Sequence, residues 1–159
     1  PHLFFKEREI KQNHFEKIEK PVKKKIFKKI EINSADIDEL MSLPMIGKYR
    51  AEKIIKYRES LGGFVDLSQL KEIYGFENSG IDKNDSLIEI DSNLIRKINI
   101  NTASIKELSA HPYIDYYLAK KIFEYRKINS SVEDVQNLVK DGIIERGESR
   151  KILLYLGTK

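Results

Sequence analysis

A stretch of 39 residues occurs twice in this chain, and the two copies are offset by 68 positions. Ile32-Asn33-Ser34-Ala35 opens the first copy and Ile100-Asn101-Thr102-Ala103 the second. At the same offset Leu40 meets Leu108, Pro44 meets Pro112, Ile46 meets Ile114, Ala51 meets Ala119 and Ile54 meets Ile122. Tyr57-Arg58 recurs as Tyr125-Arg126, and Leu70 as Leu138. Between Ile32 and Leu70, 16 of the 39 aligned positions are identical. An internal repeat fixes the architecture before any local signal does. It implies two copies of one small unit, each of roughly 60 residues, a size that buries little surface alone and gains from leaning on a neighbour.

Local signals within each copy read as short helices. Asn33 or Ser34 is a suitable N-cap, with Asp36, Asp38 and Glu39 in the first turn and an apolar stripe of Ile37, Leu40, Met41 and Leu43. Pro44 ends that helix and Gly47 supplies a turn. Tyr49–Ser60 reads as a longer helix stopped by Gly62-Gly63. A third helix follows, capped by Asp66 or Ser68, and a fourth lies near Ile81–Leu87. In the second copy Thr102 caps a helix through Leu108, and Tyr117–Ile128, Ser131–Lys140 and Glu148–Leu156 follow. Leu87–Asp91 and Leu94–Asn101 alternate apolar and polar residues and suggest short strands, pairing with Lys29–Ile32. The expected fold is all-α, two tandem units with short strands at their junction. The expected divisions are a basic leader over 1–29, unit one over 30–91 and unit two over 92–159.

Charge is unevenly placed. Residues 1–31 hold 10 Lys/Arg against 5 Glu, whereas residues 32–159 hold 19 Lys/Arg against 20 Asp/Glu. The basic character therefore lies in the leader, and charge alone does not make the repeats a nucleic-acid binder. With Phe4, Phe5, Phe15 and Phe27, the leader reads as a solvated linker with enough aromatics for part of it to dock. There is no cysteine, and only three histidines are present, so neither a disulfide framework nor a protein metal site is expected. No apolar run approaches the roughly 20 residues of a membrane span.

The string Leu43-Pro44-Met45-Ile46-Gly47-Lys48-Tyr49-Arg50 joins a helix end, a tight turn and a new helix. The first turn of a helix leaves N–H groups unpartnered at the positive end of its dipole, a ready anion site. Gly47 would let a phosphate approach, in a backbone conformation that other residues avoid, with Lys48, Arg50, Lys53 and Lys56 adding charge. The bland readings are that Tyr57 and Tyr125 are packing residues, that Arg58 and Arg126 pair with Asp66 and Asp134, and that His111 is structural.

Asn33-Ser34-Ala35, Glu39-Leu40, Leu43-Pro44-Met45-Ile46-Gly47, Ala51-Glu52-Lys53-Ile54, Tyr57-Arg58 and Gly63-Phe64 together resemble the helix-hairpin-helix unit of ComEA-type bacterial competence DNA receptors. The resemblance covers about residues 30–156. It implies a second hairpin in each unit, at Tyr74-Gly75-Phe76 and Asp141-Gly142-Ile143. It also implies binding to DNA phosphates without sequence preference, no cofactor, and a cell-envelope setting, with the cytoplasm as the alternative and any membrane contact made through an anchor outside this chain. The DNA-binding residues implied are Ile46, Gly47, Lys48, Tyr49, Arg50, Lys53 and Lys56. The family hairpin carries two glycines around an aliphatic residue. Unit one keeps only Gly47, and unit two, with Tyr113-Ile114-Asp115, keeps neither. Asp115 also places negative charge where phosphate would sit, so unit one is expected to dominate. No catalytic constellation is visible, and neither an enzyme nor a small-molecule substrate is expected. The rival reading is a protein-interaction or scaffold module that keeps the fold without binding DNA.

Overall fold

A computed structural model describes residues 29–77 and 79–159; the leader reading falls almost wholly outside them. The chain runs β1 (Ile30–Glu31), α1 (Ile37–Met41), α2 (Lys48–Leu61), 3-10 helices over Leu67–Glu72 and Ile81–Leu87, and β2 (Ile88–Glu89). A 3-10 turn at Ser92–Leu94 leads to β3 (Ile98–Asn99), α3 (Ile105–Ser109), α4 (Tyr116–Ile128), α5 (Asn137–Lys140) and α6 (Arg146–Ile152). A last 3-10 turn, Leu153–Tyr155, ends in β4 (Leu156–Gly157). The fold is mostly helical, in two similar units.

Each unit is closed by a minimal parallel strand pair. Ile30 pairs with Ile88 and Glu31 with Glu89; Ile98 pairs with Leu156 and Asn99 with Gly157. The second pairing is the first moved along by 68 residues, so the repeat extends beyond the matched stretch to both ends of the unit. The sequence expectation of strands near 88 and 98 holds, but Ile98–Asn99 pairs with the chain end and not with Ile30–Glu31.

Recurrent residues do the same work in both copies. Asn33 spans two backbone groups of Phe64, accepting from its N–H at 2.6 Å and donating to its carbonyl at 3.0 Å. Asn101 does the same to Val132 at 2.8 and 2.9 Å. Arg58 donates to the carbonyls of Ile32 and Ala35, and Arg126 to those of Ile100 and Ala103. The expected pairing of these arginines with Asp66 and Asp134 is therefore wrong: the guanidinium satisfies carbonyls at the entry to the short helix, and Asp66 instead caps the turn that follows it. The N-caps also differ from expectation. Asp36 with Glu39, and Ser104 with Glu107, form capping boxes, two or three residues later than Asn33, Ser34 or Thr102. In unit two the third helix is only Asn137–Lys140.

The two units share an interface built from residues that differ between the copies. Tyr155, from the end of unit two, is buried in the core of unit one. Gln69, fully buried, donates to the hydroxyls of Tyr113 and Tyr155 at 2.8 and 2.9 Å, and the Tyr155 hydroxyl donates to the Gly63 carbonyl at 2.8 Å. Glu72 accepts from Tyr57, Tyr113 and Lys151. Burial would raise the Glu72 carboxyl, but these donors outweigh it and hold it below the usual value. His111 is buried, with Nε2 donating to the Leu61 carbonyl at 3.0 Å and Nδ1 accepting from Tyr113 N–H at 3.2 Å, the neutral tautomer.

The linker seats against Gly62, which ends α2 in the left-handed region (φ 83). A Cβ there would lie 2.5 Å from the Arg96 carbonyl oxygen, and Arg96 N–H donates to the Gly62 carbonyl. Its counterpart Ser130 has the same kind of backbone (φ 61). Gly62→Ala should therefore destabilise by more than about 1–2 kcal/mol, whereas Ser130→Gly should stabilise by about 1 kcal/mol, read from urea midpoints. Burial also lowers the His111 pKa below its ordinary 6.5, against the opposing pull of the Leu61 carbonyl. The unfolded chain thus protonates first as pH falls, so this contribution to stability is intact above about pH 7 and drains away below pH 6.5. His111→Leu, the residue found at the equivalent position 43, should flatten that part of a stability–pH profile.

Candidate nucleic-acid interface

In unit one the first hairpin runs from Leu43 into α2. Its backbone does not match the expected role of Gly47. Gly47 has φ −91 and ψ 175, an ordinary extended conformation, and acts as the N-cap of α2. The left-handed residue is Met45 (φ 65), at the position where the family carries its first glycine. What Gly47 supplies is the lack of a side chain: no side chain caps α2, and a Cβ placed there would meet nothing within 4 Å. The first-turn amides of this 14-residue helix therefore receive no side-chain cap.

Unit two solves the same problem internally. Asp115 is the N-cap of α4 (φ −75, ψ 173), and its carboxylate accepts from Leu118 N–H at 2.7 Å. Asp115 carries no backbone strain, because the position is extended in both copies. Tyr113, which replaces Met45, lies outside the left-handed region and is turned into the interface with unit one. His111, which replaces Leu43, faces the same way. The hairpin that meets solvent in unit one is thus a docking element in unit two.

The implied DNA-binding residues fall into three groups. The Ile46 side chain is buried and anchors the hairpin to the core. Lys48 and Lys56 are exposed, with no hydrogen bond or ion pair among the described residues. Arg50 and Lys53 are already engaged. Arg50 donates to the Met45 carbonyl at 2.7 Å, with its guanidinium 5.9 Å from the Phe76 ring centroid. It therefore braces the left-handed turn, where mobile charge was expected. Lys53 donates to the Tyr74 carbonyl at 2.9 Å, and its ammonium lies 4.7 Å from the Tyr49 ring and 5.0 Å from the Tyr74 ring. Both rings are largely exposed, 68% and 84%.

Tyr74 was not singled out by the sequence beyond its place in the second hairpin. Only the fold brings it to Lys53, 21 residues away in the chain. That hairpin turns at Gly75 (φ 87), whose N–H is capped by Glu77 at 3.1 Å. The first hairpin is tied to the following 3-10 helix by Asn84, which donates to the Pro44 carbonyl at 2.9 Å.

With two hairpins in unit one and the repeat of that plan in unit two, the fold can be set beside known families. The model of the helix-hairpin-helix motif matches residues 25–89 and again 94–143. The chain belongs to the helix-hairpin-helix family. Among curated relatives, endonuclease/exonuclease/phosphatase family domain-containing protein 1 of Danio rerio is 28% identical over 130 residues, covering 70% of this chain and 24% of that protein. The Homo sapiens protein of the same name is 28% identical over 145 residues, 72% of this chain and 26% of its own length. An uncharacterised protein of Haemophilus influenzae is 40% identical over 57 residues, 35% of this chain and 51% of its own. The chain thus spans about a quarter of the length of the two vertebrate relatives. No solved structure matches. No helix among the described residues is long and apolar enough to cross a membrane.

The two hairpins give opposite expectations for stability. Met45→Gly should relieve left-handed strain and stabilise by about 1 kcal/mol. Asp115→Ala should remove a helix cap and cost about 1 kcal/mol. Thermal melts of the two variants check both signs.

Proposed function

We infer that this helix-hairpin-helix protein is a non-enzymatic module that binds DNA through its phosphate backbone, without sequence preference, and that unit one does the binding. The supporting observation is the uncapped first turn of α2 at Gly47, with the exposed Lys48 beside it. A phosphate there would accept from backbone amides at the positive end of a 14-residue helix. Lys48 and Lys56 would add charge that is not committed to any other described residue, and Tyr49 and Lys53 would border the contact. Contacts of this kind position the nucleic acid and carry no base information. The arrangement resembles that of ComEA-type competence receptors, and a bacterial, envelope-associated setting goes with that resemblance.

A second reading has its own support. Unit two has closed its hairpin with Asp115 and turned His111 and Tyr113 towards unit one. It also exposes Tyr116 and Tyr117, 57% and 75%. A protein-interaction role for unit two is compatible with DNA binding by unit one, and a scaffold role for the whole chain is the rival.

Charge reversal separates the readings. Lys48→Glu with Lys56→Glu should weaken binding to random DNA across all sequences and flatten the dependence of log affinity on log salt by about one unit for each phosphate no longer neutralised. The corresponding Tyr116→Glu, in a unit that already carries Glu124 at the second position, should change both far less. Equal losses in the two units would remove the assignment to unit one. Failure of the unaltered protein to bind at low salt would favour the scaffold.

A further inference from the structure

Beside the Tyr49–Lys53–Tyr74 cluster runs a groove of about 330 Å³, floored by Ile73 and Tyr57, walled by Tyr74, with Lys53 and Lys56 on its rim and Glu72 at its far end. Its volume lies at the lower end of the ~300–1,000 Å³ of ligand clefts. Its composition is unusual for a solvated helix face: an apolar floor, an exposed aromatic wall and two ammonium groups from one side of α2. The Lys53 ammonium lies between two aromatic rings contributed by different hairpins. The one carboxylate in the groove is already engaged by Lys151, Tyr57 and Tyr113.

We propose that this groove takes an unpaired base of single-stranded nucleic acid, stacked on Tyr74, with the adjoining phosphates against Lys53 and Lys56. The proposal rests on the nucleic-acid reading above and deepens it, because it makes single strands, ends and gaps the preferred form over intact duplex. In a duplex the base faces are covered by their neighbours and only phosphate is offered. A flat base has a π-face whatever its identity, so a stacking groove adds affinity without adding sequence preference. Cations on the rim and an apolar ring surface within together match a nucleotide, whereas a phosphate-only site would have no use for the aromatic wall. The weak net charge of the repeats fits the same picture, since part of the affinity then comes from stacking and less from counterion release. Unit two lacks this construction: its second hairpin, Asp141-Gly142-Ile143, carries no aromatic residue, so Lys121, which matches Lys53, has no second-hairpin ring to meet.

The test compares the full chain on oligothymidylate, on an abasic phosphodiester strand of the same length, and on random duplex, all at one salt concentration. The unaltered protein should bind oligothymidylate about tenfold more tightly than the abasic strand, the scale of one stacked base. Tyr74→Ala and Tyr74→Leu, both at an exposed position, should bring oligothymidylate down to the abasic level and leave abasic and duplex binding unchanged. Equal affinity of the unaltered protein for oligothymidylate and the abasic strand would overturn the stacking site while leaving phosphate binding intact. Parallel losses on both strands in the Tyr74 variants would show that Tyr74 acts by holding Lys53, and would also overturn it. Competition by polyglutamate as effective as that by oligothymidylate would assign the groove to acidic peptide instead. Binding to none of the three nucleic acids would sink this proposal together with the reading on which it rests.

Discussion

The first turn of an α-helix offers N–H groups that no carbonyl within the helix can accept. On one scaffold this protein meets that requirement in two ways. At α4 the Asp115 carboxylate turns back onto Leu118 and satisfies it locally. At α2 the equivalent residue has no side chain, and the amides stay open to an external acceptor. An internal carboxylate and an external phosphate compete for the same donors, so a copy that has capped itself has given up much of its capacity to bind an anion. The asymmetry proposed between the units would follow from that single exchange, glycine for aspartate, at a position whose backbone is extended in both.

The rest of the structure keeps that position fixed while letting its surroundings diverge. Arg58 and Arg126 bind equivalent carbonyls, Asn33 and Asn101 span equivalent backbone groups, and the strand pairs recur in the same register. These polar clasps hold the entry to each short helix against the long helix and the segment that follows it, without help from the other unit. Residues that differ between copies then join the units. His111 and Tyr113 stand where unit one has Leu43 and Met45, and with Gln69, Glu72 and Tyr155 they turn a would-be binding hairpin into a polar, largely buried joint. Removing a partner from such a network leaves buried groups unpaired, typically costing about 1–3 kcal/mol for each, which favours a fixed arrangement of the two units.

Much of the fold was legible because the repeat doubles every signal. The extents of the long helices, the stops at Pro44 and Gly62, and the fourth helical turn at Ile81–Leu87 all follow from apolar spacing and turn residues. The arginines were misread because carboxylates recur near them in sequence, whereas carbonyls at a helix entry leave no trace in residue identities. Gly47 was assigned a special conformation because glycine is the residue that such conformations favour. In the structure it is an extended N-cap that offers no capping side chain, and Met45 bears the left-handed geometry. The partners of Lys53 and Arg50 were also invisible in the sequence. A half-exposed cation on a helix reads as free charge until the fold brings a ring or a carbonyl to it from another segment.

The most direct measurement is an amide-resolved NMR titration of the full chain with short random DNA. If the open first turn of α2 is the binding element, the N–H signals of Lys48, Tyr49 and Arg50 shift early and saturably, and those of Tyr116, Tyr117 and Leu118 stay in place at the same ratios. Matching shifts at both helix starts, or shifts confined to α4, would contradict the division of labour between open and self-capped hairpins.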